Sequence, residues 1–197
     1  MALLRVVGAV NVSWLVARSS GVVAWALIVA SAAWGLLLAT RVLGRKASPA
    51  WLLSFHRFLG ALAVTFTVVH VVAIVADEYV DFGLTDVLIP FASSWEPFAV
   101  ALGIVGMYLL AAVQITSLLR THMSQSAWRR VHLLSYALFA TTTVHALTAG
   151  TDTNALLPTG LAVIFGAAAV FTGATLWWAR TEATRQASPA SRSPVGA

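Results

Sequence analysis

The sequence predicts an all-α protein, a polytopic membrane helical bundle with about five transmembrane helices. Three observations carry this. Of 197 residues, 59% are hydrophobic and 10% charged, against roughly half and a quarter in an ordinary soluble domain. The apolar residues gather in five runs, at 22–40, 55–76, 97–119, 131–149 and 155–179. Each reaches or approaches the ~20 residues that cross a hydrocarbon core as helix. Charges of opposite sign lie in alternate loops. A soluble globular enzyme is excluded, because so few polar residues cannot coat a core of this size. Nucleic-acid binding is disfavoured as well: the net charge of +5 comes from scattered loops, with no basic helix or patch. The chain has no cysteine, which removes disulfides, thiolate metal sites, iron–sulfur clusters and cysteine nucleophiles.

The elements follow in order. Residues 1–20 are half apolar and carry Arg5 and Arg18, and read as an interfacial segment rather than a span. The stretch "IVASAA" at 28–33 has the look of a signal-peptide cleavage site. The apolar run continues past it into the basic "RVLGRK" at 41–46, however, as a span with an inside anchor does. Ser48 and Pro49 suit the N-cap and first turn of the second helix. Ser124 or Ser126 suits the cap of the fourth, and Pro158 sits near the start of the fifth. Residues 181–197, rich in Ser, Ala, Pro and Arg, read as a disordered tail. The chain thus divides into an interfacial segment 1–20, a membrane domain 21–180 and a tail 181–197.

Charge sets the expected orientation. Ten of the 12 Lys and Arg residues lie on one side, in loops 41–54 and 120–130, at Arg57 or at the C-terminus, and six of the seven acids lie in 77–96 or at Asp152. The positive-inside rule then puts the basic loops and the C-terminus in the cytoplasm and the N-terminus and acidic loop outside. Trp14 and Trp95 would mark the outer interface, and Trp51, Trp128, Trp177 and Trp178 the inner one.

Four of the five histidines fall within spans: His56 and His70 on the second, His132 and His145 on the fourth. His122 lies in a polar loop and reads as exposed. An ionisable side chain inside a membrane is costly and marks a candidate functional site. A single such histidine more often bonds a neighbouring helix, but two pairs on two helices are harder to dismiss. Both helices run from inside to outside, so the residues match by depth: His56 with His132, and His70 with His145. At 1.5 Å per residue, spacings of 14 and 13 residues set the two levels about 20 Å apart.

Two neutral imidazoles per level leave zinc two ligands short. They complete the axial positions of a haem iron, whose other four ligands the porphyrin supplies. The predicted metal-site residues are therefore His56, His70, His132 and His145, holding two haems. Without cysteine the haems are of the non-covalent b type. Arg57, Arg129 and Arg130 flank the inner pair and are candidate partners for haem propionates, although basic residues at that depth also serve as topology anchors. One detail resists. Fourteen residues fall about 40° short of whole turns, but thirteen fall about 140° short, so His132 and His145 do not share a face of a straight helix. A local 3₁₀ or π turn would repair this, as would bending by the hydroxyls of Thr141, Thr142 and Thr143.

The stretches "HRFLGALAVTFTVVH" and "WRRVHLLSYALFATTTVH" resemble the ferric reductase-like transmembrane domain, and "WLVARSSGVVAWALIVASAAWGLLL" resembles the first helix of bacterial members. That superfamily includes ferric-chelate reductases, NADPH oxidases and the haem-binding membrane subunit of bacterial methionine-sulfoxide reductase. The resemblance implies two b haems in a helical bundle and electrons passing from the inner to the outer side. Large members carry a cytoplasmic flavin and NADPH module. This chain has no G-x-G-x-x-G and no length for a nucleotide-binding fold. The expectation is the membrane haem component of an oxidoreductase, fed by a separate donor protein or by a membrane quinol. Quinone is thereby a second candidate cofactor. The acceptor lies outside: ferric iron, oxygen or a flavoprotein. The competing expectation is a non-redox membrane protein, a small transporter or assembly factor, whose histidines relay protons or pack helices.

Overall fold

The computed structural model describes residues 12–40, 49–77, 82–149 and 160. Among them there are helices and no strand. The helices are α1 (Val12–Thr40), α2 (Pro49–Val75), the short α3 (Leu84–Leu88), α4 (Pro97–Leu118), α5 (Gln125–His132) and α6 (Ser135–Thr148), with a 3₁₀ turn at Arg120–His122 before α5. Three of them, over Val12–Ala39, Ala50–Val75 and Pro97–Leu118, are long and apolar enough to cross a membrane. Large apolar side chains such as Phe58, Val68, Val72, Ile115 and Leu118 stand exposed on these helices. Water would not tolerate that surface, and lipid does.

The first helix departs from expectation. Residues 12–20 continue into the span as one helix of 29 residues, so the boundary drawn at residue 20 falls inside it. The reason is local: the Arg18 guanidinium lies 5.1 Å from the Trp14 ring centre, which lets the cation sit on a helix face without breaking the helix. Ala17 and Ser20 are buried.

The fourth predicted span, 131–149, is not one helix. It is α5 and α6, joined at Leu133 and Leu134, whose ψ angles of −19° and −12° are those of a 3₁₀ turn. The Leu134 amide reaches Val131 O at 2.9 Å and the Tyr136 amide reaches Leu133 O at 3.2 Å, both three residues back. Ser124 caps α5 by accepting from the Ala127 amide at 3.2 Å. Pro49 opens α2 and Pro97 opens α4, both in the first turn where the missing N–H costs nothing. The fifth predicted span and the tail lie outside the described residues, apart from Gly160.

α1 packs along α2, α4 packs along α5 and α6, α1 crosses α6, and α2 meets α4. The bundle is therefore a ring in which the two histidine-bearing arms, α2 and α5–α6, face each other diagonally instead of packing side by side. Ile28, Ala63, Leu110 and Leu138, one from each long helix and one from α6, form the buried core between the two histidine levels. Polar ties cross the ring. Trp34 Nε1 donates to Leu52 O at 3.0 Å, and Trp25 Nε1 donates to Thr143 Oγ1 at 3.0 Å. Trp34 also packs edge-on against Phe55 at 4.7 Å and Trp51 at 5.8 Å. Thr143 is 2% exposed, so its bond to Trp25 lies in the driest part of the bundle. Trp25→Phe is expected to lower the detergent-solubilised protein's stability by about 1 kcal/mol, read as a fall in Tm. An unchanged Tm would mean the bond contributes nothing.

Candidate haem-binding site

The structure brings the four span histidines together in the pairs that depth implied. The His56 and His132 rings are 6.1 Å apart between centroids and inclined at 74°. The His70 and His145 rings are 6.4 Å apart and inclined at 75°. We call these the first and second levels. The 13-residue spacing is partly reconciled at Leu133 and Leu134. Each residue wound at three per turn advances about 20° further than an α-helical one, which recovers part of the missing phase. Thr141, Thr142 and Thr143 donate back to the carbonyls of Ala137, Leu138 and Phe139 at 2.9, 2.7 and 2.7 Å, as hydroxyls that bend membrane helices do.

Each histidine of the second level sits in a seat of the same construction. His70 Nδ1 donates to Ala17 O at 2.6 Å, and its ring lies on Gly21, one turn further along α1. His145 Nδ1 donates to Ala99 O at 2.7 Å, and its ring lies on Gly103, one turn further along α4. A Cβ on Gly21 would stand 2.7 Å from His70 Nδ1, and one on Gly103 would stand 2.7 Å from His145 Cε1. Only glycine admits rings that close. A carbonyl can only accept, so Nδ1 carries the hydrogen in both residues and Nε2 keeps its lone pair free for a metal.

His56 is held similarly. Its Nδ1 bonds Ser31 Oγ at 3.3 Å and its ring lies over Gly35. Ser31 and Gly35 stand 14 residues along α1 from Ala17 and Gly21, the same spacing as His56 and His70. One helix thus carries two seats in register with two histidines.

A cavity of about 370 Å³ opens at the second level, lined by His70 and His145 and otherwise almost wholly by apolar side chains. Gly21, Gly103 and Gly106 form part of its wall. Trp14, Trp95, Arg18 and the buried Asp77 lie on its lining too. Arg18 was not among the arginines singled out from the sequence, and helix α1 is what brings it there. At the first level, Arg57, Arg129 and Arg130 are exposed. Arg120 lies 4.5 Å from the Trp128 ring centre, and Trp128 stacks on His132 at 4.9 Å with the planes 24° apart. His122 is exposed in its 3₁₀ turn, as expected, beside Thr121 Oγ1 at 3.2 Å.

The donor set fits haem and does not fit a bare ion. Among the described residues no three His, Cys, Asp or Glu side chains converge on one point. An iron bonded to two facing imidazole nitrogens at about 2 Å each sets the ring centres about 6 Å apart. The observed 6.1 and 6.4 Å meet that requirement at both levels.

Helices able to cross a membrane, with imidazole pairs at two depths between them, place the chain in the class of multi-pass helical membrane proteins. The model of the ferric reductase like transmembrane component family matches residues 20–143, well over half of the chain, and the protein belongs to that family. The matched range includes His56, His70 and His132 and stops two residues before His145, which the sequence spacing and the ring pair with His70 add. The family points to a membrane electron-transfer role. No curated protein and no solved structure matches the chain.

Proposed function

We propose that this protein is a di-haem b electron-transfer component of a bacterial plasma membrane. It carries electrons from a cytoplasmic donor protein or a membrane quinol to an extracytoplasmic acceptor such as ferric iron, oxygen or a flavoprotein. The observation that carries this reading is the double coincidence of ring separation: two histidine pairs, each spaced for one iron, at the two ends of one bundle.

Haem, held by His56 with His132 and by His70 with His145, would supply one-electron redox chemistry. The chain's own residues do the rest. His56 and His132 occupy the cytoplasmic level, and His70 and His145 the outer one. The Ala17 and Ala99 carbonyls hold the outer imidazoles in one tautomer and orientation, which strengthens them as ligands. The apolar lining keeps water from the metal and lowers the local dielectric. Arg18 at the outer level and Arg57, Arg129 and Arg130 at the inner level offer positive charge to porphyrin carboxylates. The exposed Arg57, Arg129 and Arg130 also suit an anionic donor surface on the cytoplasmic side.

The test is spectroscopic. Protein purified in detergent after expression with ample haem is expected to show low-spin reduced-minus-oxidised bands and two b haems per chain by pyridine haemochrome. A colourless preparation would overturn the proposal and favour a non-redox membrane protein. Reduction by quinol that quinone analogues inhibit would assign the donor; reduction only by a soluble partner would exclude quinol.

A further inference from the structure

The seats described above number three, for four histidines. His132 Nδ1 is buried with no hydrogen-bond partner among the described residues. So is the hydroxyl of Ser117 on α4. Most helical hydroxyls in this chain return to a carbonyl one turn back: Ser19 to Leu15, Thr65 to Ala61, Thr67 to Ala63 and Thr116 to Ala112. Ser31 also turns away from its own helix, and it is the serine that holds His56. Ser117 makes neither kind of bond.

Register puts the two orphans together. Ser117 lies 14 residues beyond Gly103 on α4, close to four whole turns and so on the same face. His132 lies 13 residues before His145 on the arm that runs the other way. Gly103 meets His145 at one end of this pair of elements, and Arg120 covers Trp128 at the other. Fourteen residues climb about 21 Å and thirteen about 20 Å, so Ser117 and His132 reach the same depth. On α1 the residue 14 beyond Gly21 is Gly35, where a Cβ would stand 3.2 Å from His56 Cε1 and 3.7 Å from its Nδ1. Ser117 is the α4 counterpart of Gly35, and it carries such a Cβ with a hydroxyl attached.

We propose that Ser117 is the positioning residue of His132, its hydroxyl oxygen accepting from His132 Nδ1 and completing the fourth seat. The inference rests on reading His132 as an axial haem ligand. With Nε2 committed to iron, Nδ1 must carry its hydrogen and needs an acceptor, which a serine oxygen supplies. The Trp128 indole nitrogen is the remaining buried orphan, and it too can only donate. The serine oxygen has two lone pairs, enough for both.

The test uses the full-length chain loaded with haem, with Ser117→Ala and Ser117→Thr beside the native protein. The readouts are the low-spin EPR signals, the reduction potentials and the rate of haem release to an apo-protein acceptor. Loss of an outer partner of a ligating histidine typically weakens binding about 10- to 100-fold. Ser117→Ala is therefore expected to release one haem at least about tenfold faster and to shift one EPR signal and one potential. The affected signal is the one that His132→Ala abolishes, and Ser117→Thr restores it. Unchanged release and spectra in Ser117→Ala would overturn the assignment. Equal loss of both haems would also overturn it, because it would mark general destabilisation. A native protein without haem would refute the proposed function itself, a result separate from either outcome.

Discussion

Replacing His145 by alanine is expected to leave one b haem per chain in place of the two proposed for the native protein. His145 and His70 face each other at 6.4 Å across an apolar cavity, and no third imidazole among the described residues stands in reach of it. With a single imidazole remaining, the chain offers one of its two ligands; the cavity's other oxygen-bearing side chains are Asp77, Thr67 and Thr142, and both threonine hydroxyls already bond back to their own helices. The second-level haem is then lost or retained as a high-spin, five-coordinate species. His70→Ala should behave identically. Electron delivery to an outside acceptor should disappear in both, while the first level, about 20 Å away, keeps its low-spin spectrum. His122→Ala is the matched control, because His122 is exposed in the turn before α5 and faces neither pair. Two unchanged low-spin haems in His145→Ala would remove His145 from the site, and the paired geometry would then be packing alone.

The pairing of His56 with His132 and of His70 with His145 was legible in the sequence because it needs only helix rise and chain direction. The flaw in the 13-residue spacing was legible too, and so were its candidate remedies, a local 3₁₀ or π turn and hydroxyls of Thr141, Thr142 and Thr143 that bond back to the helix. The place of the 3₁₀ turn was not. Leu133 and Leu134 are apolar residues in an apolar run, and nothing in their identity marks a 3₁₀ turn. The continuity of α1 through residue 20 was obscured by Arg18, which reads as a membrane boundary until Trp14 is seen to cover it. The seats were out of reach for a different reason. Ala17, Gly21, Ala99 and Gly103 are common small residues of membrane helices, and their meaning depends on which helix lies opposite. Once α1 is known to pack on α2, the 14-residue interval from Gly21 to Gly35 matches that from His70 to His56. Before that it is one spacing among many.

Those glycines support the sharpest separation of local from general effects. Gly21→Ala and Gly103→Ala replace a residue that ordinarily weakens a helix, and on helix propensity alone each should stabilise by about 1 kcal/mol. The seats predict the opposite sign. The new methyl carbon would stand 2.7 Å from His70 Nδ1 in one variant and 2.7 Å from His145 Cε1 in the other, closer than unbonded carbon and nitrogen approach. The imidazole must then swing off its helix and break its bond to Ala17 O or Ala99 O. A displaced ligand that has also lost its orienting carbonyl should bind iron about 10- to 100-fold more weakly. Gly35→Ala provides the graded comparison, since its methyl would meet His56 at 3.2 Å, a contact that a small ring shift relieves. Gly106→Ala provides the packing comparison, since its methyl would clash with Thr142 Cγ2 at 2.6 Å without touching a histidine. Haem retention should therefore fall steeply at the second level for Gly21→Ala and Gly103→Ala and slightly at the first level for Gly35→Ala. For Gly106→Ala both histidine seats remain intact, so Tm should fall and the histidine-linked spectra should stay, any loss of haem coming through the cavity wall that Gly106 and Thr142 share. If all four variants bind haem alike, the glycines serve helix approach alone, and the carbonyl bonds would have to orient the histidines without them.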